Sequence, residues 1–487
     1  MNESQVVGRG GINLASGRFI GIIAAFFITI LTTRMLGPDS YGVFSYVISI
    51  PLFVISILNN TVNVGLLKFV PEFAKNGKIG EIKHLFWKVI KISLFSSFIS
   101  LALVIPIAYF IPETNMILIS LPFILVGVLS FNIAMLFYSS KKLYVFAVEY
   151  FSTKIFQVIL VIPLITFLGI IGAIYSYTIS TFLTLIILFY LYFRSYRKIK
   201  KADSGIGYRR LLSISTPYGV SKIFSTATEK TSIFMLTYYT FLFGIAPVGF
   251  YNLAIGILFV MNTMITSIPE ASIPTLVQYT DNKNQKGLQS GFNSVLKYTM
   301  ILIIPIIIST PFLMEKFVKL VYGPEFIPAG SILNILSVGL VFMILYKLIT
   351  PVLVSKGRFT LFMHSEILVF GILAFLSFLL IPVYGTIGAA VAYVVGIGIG
   401  YSLLFVKGIR SISVKFPTKM MLRIGLASLV FTLFIFLPLS PYQYLFASAG
   451  LLLSIYIGLL FLFKVLTKKD VLFTKSLLRR KIAPKGI

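Results

Sequence analysis

Cysteine is absent from the 487-residue sequence, and histidine occurs only at His84 and His364. The chain therefore has no disulfide bonds, thiolate metal ligands or cysteine nucleophiles, and little material for a zinc site or a histidine-based triad. Charge is also scarce, because only 11% of the residues are Asp, Glu, Lys or Arg. Soluble domains carry roughly a quarter charged residues. The composition thus excludes a soluble globular protein.

Apolar residues make up 58% of the chain, and the mean hydropathy is +0.98. A transmembrane helix needs about 20 mostly apolar residues. The sequence predicts an all-α integral membrane protein with about fourteen transmembrane helices, at roughly 12–33, 42–63, 85–110, 116–138, 149–168, 170–193, 213–241, 248–268, 293–311, 328–353, 362–381, 385–406, 418–438 and 443–466.

The charges that remain are mostly positive, with 42 Lys and Arg against 14 Asp and Glu. Such a balance often indicates nucleic-acid binding, but here the basic residues lie between the apolar segments, so no nucleic-acid partner is expected. Most of them would fall on one side of the membrane, in 64–91, 194–212 and the tail after 464. Because basic loops stay cytoplasmic, we expect a multi-pass cell-membrane protein with both termini in the cytoplasm.

An internal repeat relates two parts of the chain. Segments 37–44 and 244–251 both read Gly, four residues, Gly, one residue, aromatic, at a separation of 207 (244 − 37). Gly169, Gly172 and Tyr177 recur as Gly385, Gly388 and Tyr393, and weaker matches pair Ser139, Lys142, Asn59 and Pro71 with Ser355, Arg358, Asn262 and Pro274.

The repeat predicts that the first six spans resemble the next six. Since six is an even number, both halves insert with the same orientation, and the axis that relates them runs along the membrane normal. We therefore expect an N-lobe at 1–200, a C-lobe at 201–410, and two additional spans with a basic cytoplasmic tail at 411–487.

Three segments carry a resemblance to a known family. Segment 36–42 reads Leu-Gly-Pro-Asp-Ser-Tyr-Gly, segment 65–72 reads Gly-Leu-Leu-Lys-Phe-Val-Pro-Glu, and Thr228-Glu229-Lys230 precedes the second glycine motif. They resemble the polysaccharide-biosynthesis (O-unit flippase) branch of the multidrug/oligosaccharidyl-lipid/polysaccharide exporter superfamily. The resemblance implies a carrier of lipid-linked oligosaccharides. One departure is that the family usually has Asp in this span, where this chain has Glu229.

Five cations lie within the apolar segments, namely Arg18, Lys154, Lys222, Lys230 and Lys347. A charge at mid-membrane costs about 2.5–3.5 kcal/mol, and a water-filled cavity would offset most of that cost. Glu229 is the only comparably deep carboxylate that the sequence predicts. Glu149 and Glu366 are expected at the cytoplasmic starts of their spans, where a negative charge is electrostatically favourable near a helix N-terminus. The membrane interior is therefore predicted to be electropositive, which suits an anionic ligand.

Polar residues extend this candidate site. Lys222, Thr226, Glu229 and Ser232 follow one face of the seventh span. We predict that Arg18, Lys154, Lys222, Lys230, Lys347, Asn59 and Asn63 bind the substrate and that Glu229 is the ion-coupling residue. Each has a structural alternative. Arg18, Lys154 and Lys347 could reach the membrane surface, Glu229 and Lys230 could form an ion pair, and the asparagines could join helices.

The expected function is a flippase that moves a polyprenyl-(pyro)phosphate-linked oligosaccharide to the outer leaflet by alternating access. Its partners would be this anionic lipid, the membrane lipid, and H⁺ or Na⁺. Two alternatives are a cation-coupled multidrug exporter of the same superfamily and a glycan polymerase or acyltransferase. No cofactor is expected. The sequence has no Gly-rich phosphate-binding loop, so ATP hydrolysis by this chain is not expected either.

Overall fold

The computed structural model describes residues 3–110, 113–281, 284–355, 358–435 and 445–466. Within these ranges the regular structure is entirely helical. The helices are α1 (Glu3–Val62), α2 (Val64–Lys75), α3 (Ile79–Ala108), α4 (Thr114–Ser120), α5 (Pro122–Ser139), α6 (Leu143–Tyr196), α7 (Tyr208–Tyr238), α8 (Thr240–Phe243), α9 (Ala246–Asp281), α10 (Gln285–Val321), a 3₁₀ turn (Pro324–Phe326), α11 (Ile327–Ser355), α12 (Phe359–Ser411), α13 (Thr418–Ile435) and α14 (Leu445–Leu462).

Eight helical stretches of the described chain are long and apolar enough to cross a membrane. Many large apolar side chains on them face outward, among them Phe95 and Phe167, which are 68% and 84% exposed. Such side chains are stable only against lipid hydrocarbon, since water would penalise their exposure. The chain is a multi-pass membrane protein. Each of the fourteen predicted segments overlaps a helix, but their number as membrane crossings stays a prediction.

One predicted span, 116–138, is divided into α4 and α5. Pro122 is the first residue of α5. Proline has no backbone N–H and its ring crowds the preceding turn, so a helix commonly restarts at this residue.

Three long helices each contain a glycine at which the chain folds back. Gly169 in α6 has φ 58° and ψ −131°, and Gly385 in α12 has φ 55° and ψ −128°. These left-handed values are open to glycine but strained for other residues. As a result, Gly172 lies against the carbonyl of Leu164, eight residues back in sequence. Gly37 divides α1 in the same way, with φ 72° and ψ 174°.

The repeat appears in these backbone angles. Gly37 and its repeat partner Gly244 have nearly the same conformation, since Gly244 has φ 75° and ψ −175°. Gly388 lies against the carbonyl of Leu380, as its partner Gly172 lies against Leu164. Equivalent positions therefore have equivalent local geometry, as the sequence repeat predicts.

The close approach at Gly388 gives a first testable prediction. A Cβ atom there would overlap the Leu380 backbone, so we expect Gly388→Ala to cost about 1–3 kcal/mol of stability, the usual range for overpacking. Gly371→Ala is the matched control in the same helix, because no atom lies within 4 Å of a Cβ built there. It should be neutral or slightly stabilising. Thermal unfolding in detergent measures both, and equal midpoints would contradict the prediction.

The helices pack as two groups that meet at α1, α7 and α9. Helices α2, α3, α5 and α6 pack together with α1, and α9 to α12 pack together with α7. Helix α1 contacts both α7 and α9, whereas α13 packs against α10 and α14. The division into lobes at residues 200 and 410 stays a prediction.

Candidate functional site

The two repeats contact each other reciprocally at one end of the molecule, which carries Gly37, Gly244 and Tyr322 and is called the Gly37 end below. A Cβ atom on Gly249 would lie 3.0 Å from the Gly42 nitrogen and 3.1 Å from the Pro38 carbonyl oxygen. A Cβ atom on Gly42 would in turn meet the Ile245 carbonyl. Pro38 and Ile245, like Gly42 and Gly249, are repeat partners. This exchange of contacts is what a two-fold axis requires.

Side-chain contacts continue this seam between the repeats. Asn252 Nδ2 donates to Ser45 Oγ at 3.0 Å, and these residues are also repeat partners. The rings of Tyr41 and Phe326 meet edge to face, with centroids 5.9 Å apart. A further contact joins α1 to α7, where the hydroxyl oxygens of Ser56 and Thr226 are 2.9 Å apart. Small and polar residues thus hold the repeats together here, which is common where helices approach closely in a membrane.

Arg34 ties the first repeat to the end of α10. Its Nε donates to the Val321 carbonyl at 2.8 Å and its Nη2 to the Leu320 carbonyl at 2.7 Å. Carbonyls in the last turn of a helix have no partners within the helix and carry partial negative charge. The Arg34 guanidinium therefore supplies hydrogen bonds to two of these carbonyls and links α1 to the end of α10.

A polar cavity of about 240 Å³ lies behind this seam, between the two repeats. Both halves of α1 and Tyr177 of α6 form one wall, while α7, α9 and Tyr322 form the other. Its polar lining consists of Thr29, Thr32, Tyr41, Ser49, Tyr177, Lys230, Asn252 and Tyr322. Among the predicted site residues whose side chains the structure describes, Lys230 is the one that lines this cavity.

Charge in the described lining of the cavity is positive. Lys230 lines the cavity, and no Asp or Glu is among the described lining residues. Hydroxyl and amide groups supply both donors and acceptors. The cavity is thus suited to an anionic or hydroxyl-rich group and poorly suited to an organic cation.

Behind Lys230 lies a cluster of charges in the second repeat. Glu229 is within electrostatic range of Lys222, Lys230 and Lys347. Glu366 is within range of Lys222 and Glu229. The structure thus brings four predicted residues of α7 and α11 together and adds a carboxylate from α12.

Glu366 lies deeper in its helix than the sequence predicts. It is the eighth residue of α12, and its side chain is fully buried. It therefore does not lie at the start of its helix, and Glu229 is not the only deep carboxylate. The sequence feature that indicates this depth is the stretch of α12 that precedes the apolar segment. Its helix begins at Phe359, before the apolar segment, so the acid lies two turns inside.

The first repeat has a smaller cluster around Lys154. Its Nζ donates to Gln157 Oε1 at 3.0 Å and lies 5.7 Å from the centre of the Tyr177 ring. Glu149 is within electrostatic range of Lys154. Since Tyr177 lines the cavity, Lys154 lies directly behind the cavity wall. It supports that wall and is not itself among the lining residues.

Repeat-equivalent tyrosines face the two clusters. Tyr177 lies beside Lys154 in the first repeat. Its partner Tyr393 is within electrostatic range of Glu229 and Glu366 in the second. The repeat therefore extends from backbone geometry to the position of the buried charges, although the charged residues themselves are not at equivalent positions.

Asn59 and Asn63 are not among the described residues that line the cavity. Asn59 and Asn63 are buried where α1 meets α2, and the Asn63 amide donates to the Asn59 carbonyl at 2.9 Å. This local bond favours the structural interpretation of the pair, although both side-chain oxygens have no hydrogen bond. Arg18 lies in α1, but its side chain is outside the described part of the chain.

Similarity to solved structures supports the fold. The structure matches the lipid II flippase MurJ in an inward closed conformation with a TM-score of 0.75, at 18% identity over 95% of this chain and 100% of that one. An inward-facing multidrug resistance MATE family transporter matches with a TM-score of 0.64, at 14% identity over 83% of this chain and 98% of that one. A transporter of the MOP superfamily from Pyrococcus furiosus matches with a TM-score of 0.60, at 14% identity over 84% of this chain and 95% of that one. The chain has a MOP-superfamily transporter fold.

Sequence relatives match shorter stretches. The chain is 32% identical over 151 residues to the capsular polysaccharide biosynthesis protein CapF of Staphylococcus aureus. It is 27% identical over 163 residues to the uncharacterized membrane protein MJ1068 of Methanocaldococcus jannaschii. These alignments cover 31% and 33% of this chain, and they span only 38% and 31% of the two relatives.

The sequence profile described as "Polysaccharide biosynthesis protein" matches residues 7–280, which is more than half of the chain. That stretch contains nearly all of α1 to α9, the reciprocal glycine seam and Lys230. The chain belongs to the polysaccharide biosynthesis protein family.

Proposed function

We propose that this protein is a flippase that carries a polyprenyl-(pyro)phosphate-linked oligosaccharide across the membrane by alternating access. The observation that carries the proposal is the polar cavity between the repeats, which holds Lys230 and no described acid. Hydrocarbon offers no partners to sugar hydroxyls and phosphates, and this absence is the barrier to unassisted flipping. A cavity with hydroxyls, amides and a cation supplies those partners.

The proposed topology has fourteen spans, with both termini in the cytoplasm. The N-lobe is 1–200, the C-lobe is 201–410, and 411–487 adds two spans and a basic tail. The Gly37 end would then face outward, because the predicted cytoplasmic loops lie at the other end. With the outer seam closed, this state would receive its substrate from the cytoplasmic side.

Lys230 would attract the (pyro)phosphate, and Lys222, Lys347 and Arg18 would add to the positive potential. Lys154, Asn59 and Asn63, which are predicted to bind the substrate, would instead support the cavity wall and the helix junction. The cavity of about 240 Å³ is below the 300–1,000 Å³ of drug-sized ligand sites. An oligosaccharide would therefore enter only when the lobes part, which is the rocking step of alternating access.

The lipid tail needs an apolar path along the lobes. A groove of about 530 Å³ lies between α3 and α7 at the Gly37 end. Apolar side chains dominate its lining, among them Val104, Ile107, Phe110, Phe234 and Phe241. We propose that it holds the first part of the tail while the head occupies the cavity.

The membrane potential can drive the export. A potential of 100 mV is worth about 2.3 kcal/mol per charge, so moving about two negative charges outward gains roughly 4–5 kcal/mol. Exchange of H⁺ or Na⁺ is a second source. Glu229 is the proposed coupling residue, and Glu366 lies in the same cluster.

Two other functions fit the structure less well. A multidrug exporter for cations would need acids in its cavity, and the described lining has none. A polymerase or acyltransferase would need converging acids, bases or histidines. His84 lies in α3 and His364 in α12, in different repeats.

The direct test is reconstitution. Proteoliposomes containing this protein and a fluorescent lipid-linked oligosaccharide should flip the lipid, with faster outward movement when a valinomycin-imposed potassium gradient makes the potential favourable. The same vesicles should not accumulate an organic cation such as ethidium. If the lipid flips no faster than in empty vesicles and the organic cation is transported, the flippase proposal is wrong and the protein is a drug exporter.

A further inference from the structure

A second pocket, of about 260 Å³, lies between the first half of α3 and residues 197–207, which join the two repeats. Its lining is basic and aromatic, with His84, Trp87, Lys88, Lys91, Lys201 and Tyr208 beside Ala202 and Asp203. It shares no lining residue with the polar cavity between the two repeats, which is called the interlobe cavity below. The proposed transport cycle does not use it.

The joining segment is anchored on α3 by several contacts. Lys83 Nζ donates to the carbonyls of Tyr196 and Ile199 at 2.9 and 2.8 Å. Lys88 Nζ donates to the Ile206 carbonyl at 2.9 Å, and the Ser204 N–H donates to His84 Nδ1 at 3.0 Å. The pocket walls are therefore fixed in place.

Three ammonium groups converge on the pocket. Lys201 Nζ lies 5.0 Å from the centre of the Trp87 ring, Lys88 Nζ lies 5.8 Å from that of Tyr208, and Lys91 is exposed at the rim. One acid opposes them. Asp203 Oδ1 is 3.8 Å from Lys88 Nζ, but the side chain is 78% exposed and accepts the Gly205 N–H at 3.2 Å. These three lysines outnumber the single carboxylate.

The position of the pocket along α3 indicates the source of an anion. Phe95 and Phe98, at 68% and 59% exposed, mark the part of α3 that faces hydrocarbon. Trp87 is eight residues earlier, which is about 12 Å along a helix. Ionic side chains and the only tryptophan of the chain thus lie at the level where lipid headgroups meet water. Tryptophan and tyrosine are enriched there.

We propose that this pocket binds the phosphate of an anionic phospholipid headgroup. Lys91 and Lys201 would contact the phosphate, while Trp87 and Tyr208 would pack against the glycerol region. Basic residues near anionic lipid contribute about 1 kcal/mol each, which is roughly a fivefold change in affinity per lysine. The lipid would bridge α3 and the segment that joins the repeats.

Trp87 provides the measurement, because no other tryptophan contributes to the fluorescence. The full chain is placed in phosphatidylcholine nanodiscs with increasing fractions of brominated phosphatidylglycerol, or of brominated phosphatidylcholine as reference. The wild-type protein should show stronger quenching of Trp87 by the anionic lipid, by fivefold or more in relative association constant. For Lys91→Gln/Lys201→Gln the preference should fall to near unity.

The matched control is Lys75→Gln/Lys407→Gln, which removes the same charge from two exposed sites outside the pocket. It should keep the wild-type preference. No preference in the wild type, or an equal loss in the control, would overturn the proposal. Relief of quenching by millimolar inorganic phosphate, at constant ionic strength, would assign the pocket to a free anion instead. Displacement by unbrominated lipid-linked oligosaccharide but not by unbrominated phosphatidylglycerol would assign it to the substrate.

Discussion

Cross-linking Ser45→Cys to Asn252→Cys is expected to stop lipid flipping almost completely, and a reductant should restore it. The two side chains are 3.0 Å apart across the seam between the repeats. Alternating access requires this seam to open once in each cycle. Because the natural chain has no cysteine, the engineered pair is the only one that an oxidant or short bismaleimide can join.

The control for this experiment is Thr310→Cys/Ser337→Cys. These hydroxyls are 2.9 Å apart but lie on α10 and α11, within the second repeat. A bond there spans no surface that must open, so flipping should continue at its normal rate. If the Ser45→Cys/Asn252→Cys protein flips lipid normally when fully cross-linked, the seam is not the moving interface and the rocking mechanism is wrong.

Replacing Lys230 with glutamine is expected to lower the flipping rate by about 10–150-fold. A hydrogen bond to a charged group contributes about 1.5–3 kcal/mol, which corresponds to this range. Lys230 is the one cation among the described lining residues of the interlobe cavity. Lys230→Arg should retain more activity than Lys230→Gln, because it keeps the charge. Initial flipping rates at matched protein density measure the effect.

Loss of Lys230 also removes a neighbouring cation from Glu229, so misfolding must be separated from loss of function. Glu229→Gln/Lys230→Gln leaves no new unbalanced charge at this site and should restore any lost stability. Its flipping should stay low, because both the substrate-binding cation and the proposed coupling carboxylate are gone. Lys407→Gln serves as the surface control and should behave as wild type. Recovery of flipping in the double variant would show that Lys230 balances Glu229 and does not act on the substrate.

The positions of the helices could be predicted well because membrane insertion depends on local composition. Apolar segments of sufficient length are visible one at a time, and the glycines that interrupt α1, α6 and α12 are visible as a repeat. The division at Pro122 was not predicted, although the proline is plain in the sequence. Its effect is a local break within one apolar segment, which hydropathy does not detect.

The candidate site was predicted only in part. Lys222, Glu229, Lys230 and Lys347 do lie in one cluster. Which of them lines the cavity depends on how α7 is rotated between α1 and α12, and rotation follows from side-chain packing with other helices. Glu366 was misplaced for a related reason, because the depth of a residue depends on where its helix begins and not on where the apolar run begins.

By itself the sequence determined a lipid-embedded, helical, twofold-repeated chain with excess positive charge, because hydropathy, glycine spacing and charge are properties of the residues themselves. Only the tertiary structure decided that Gly42 meets Gly249 and that Lys230 faces a cavity. It also joined Trp87 to Lys201 in a pocket on α3. These arrangements join residues up to about two hundred positions apart, and such contacts depend on helix packing rather than on any local pattern.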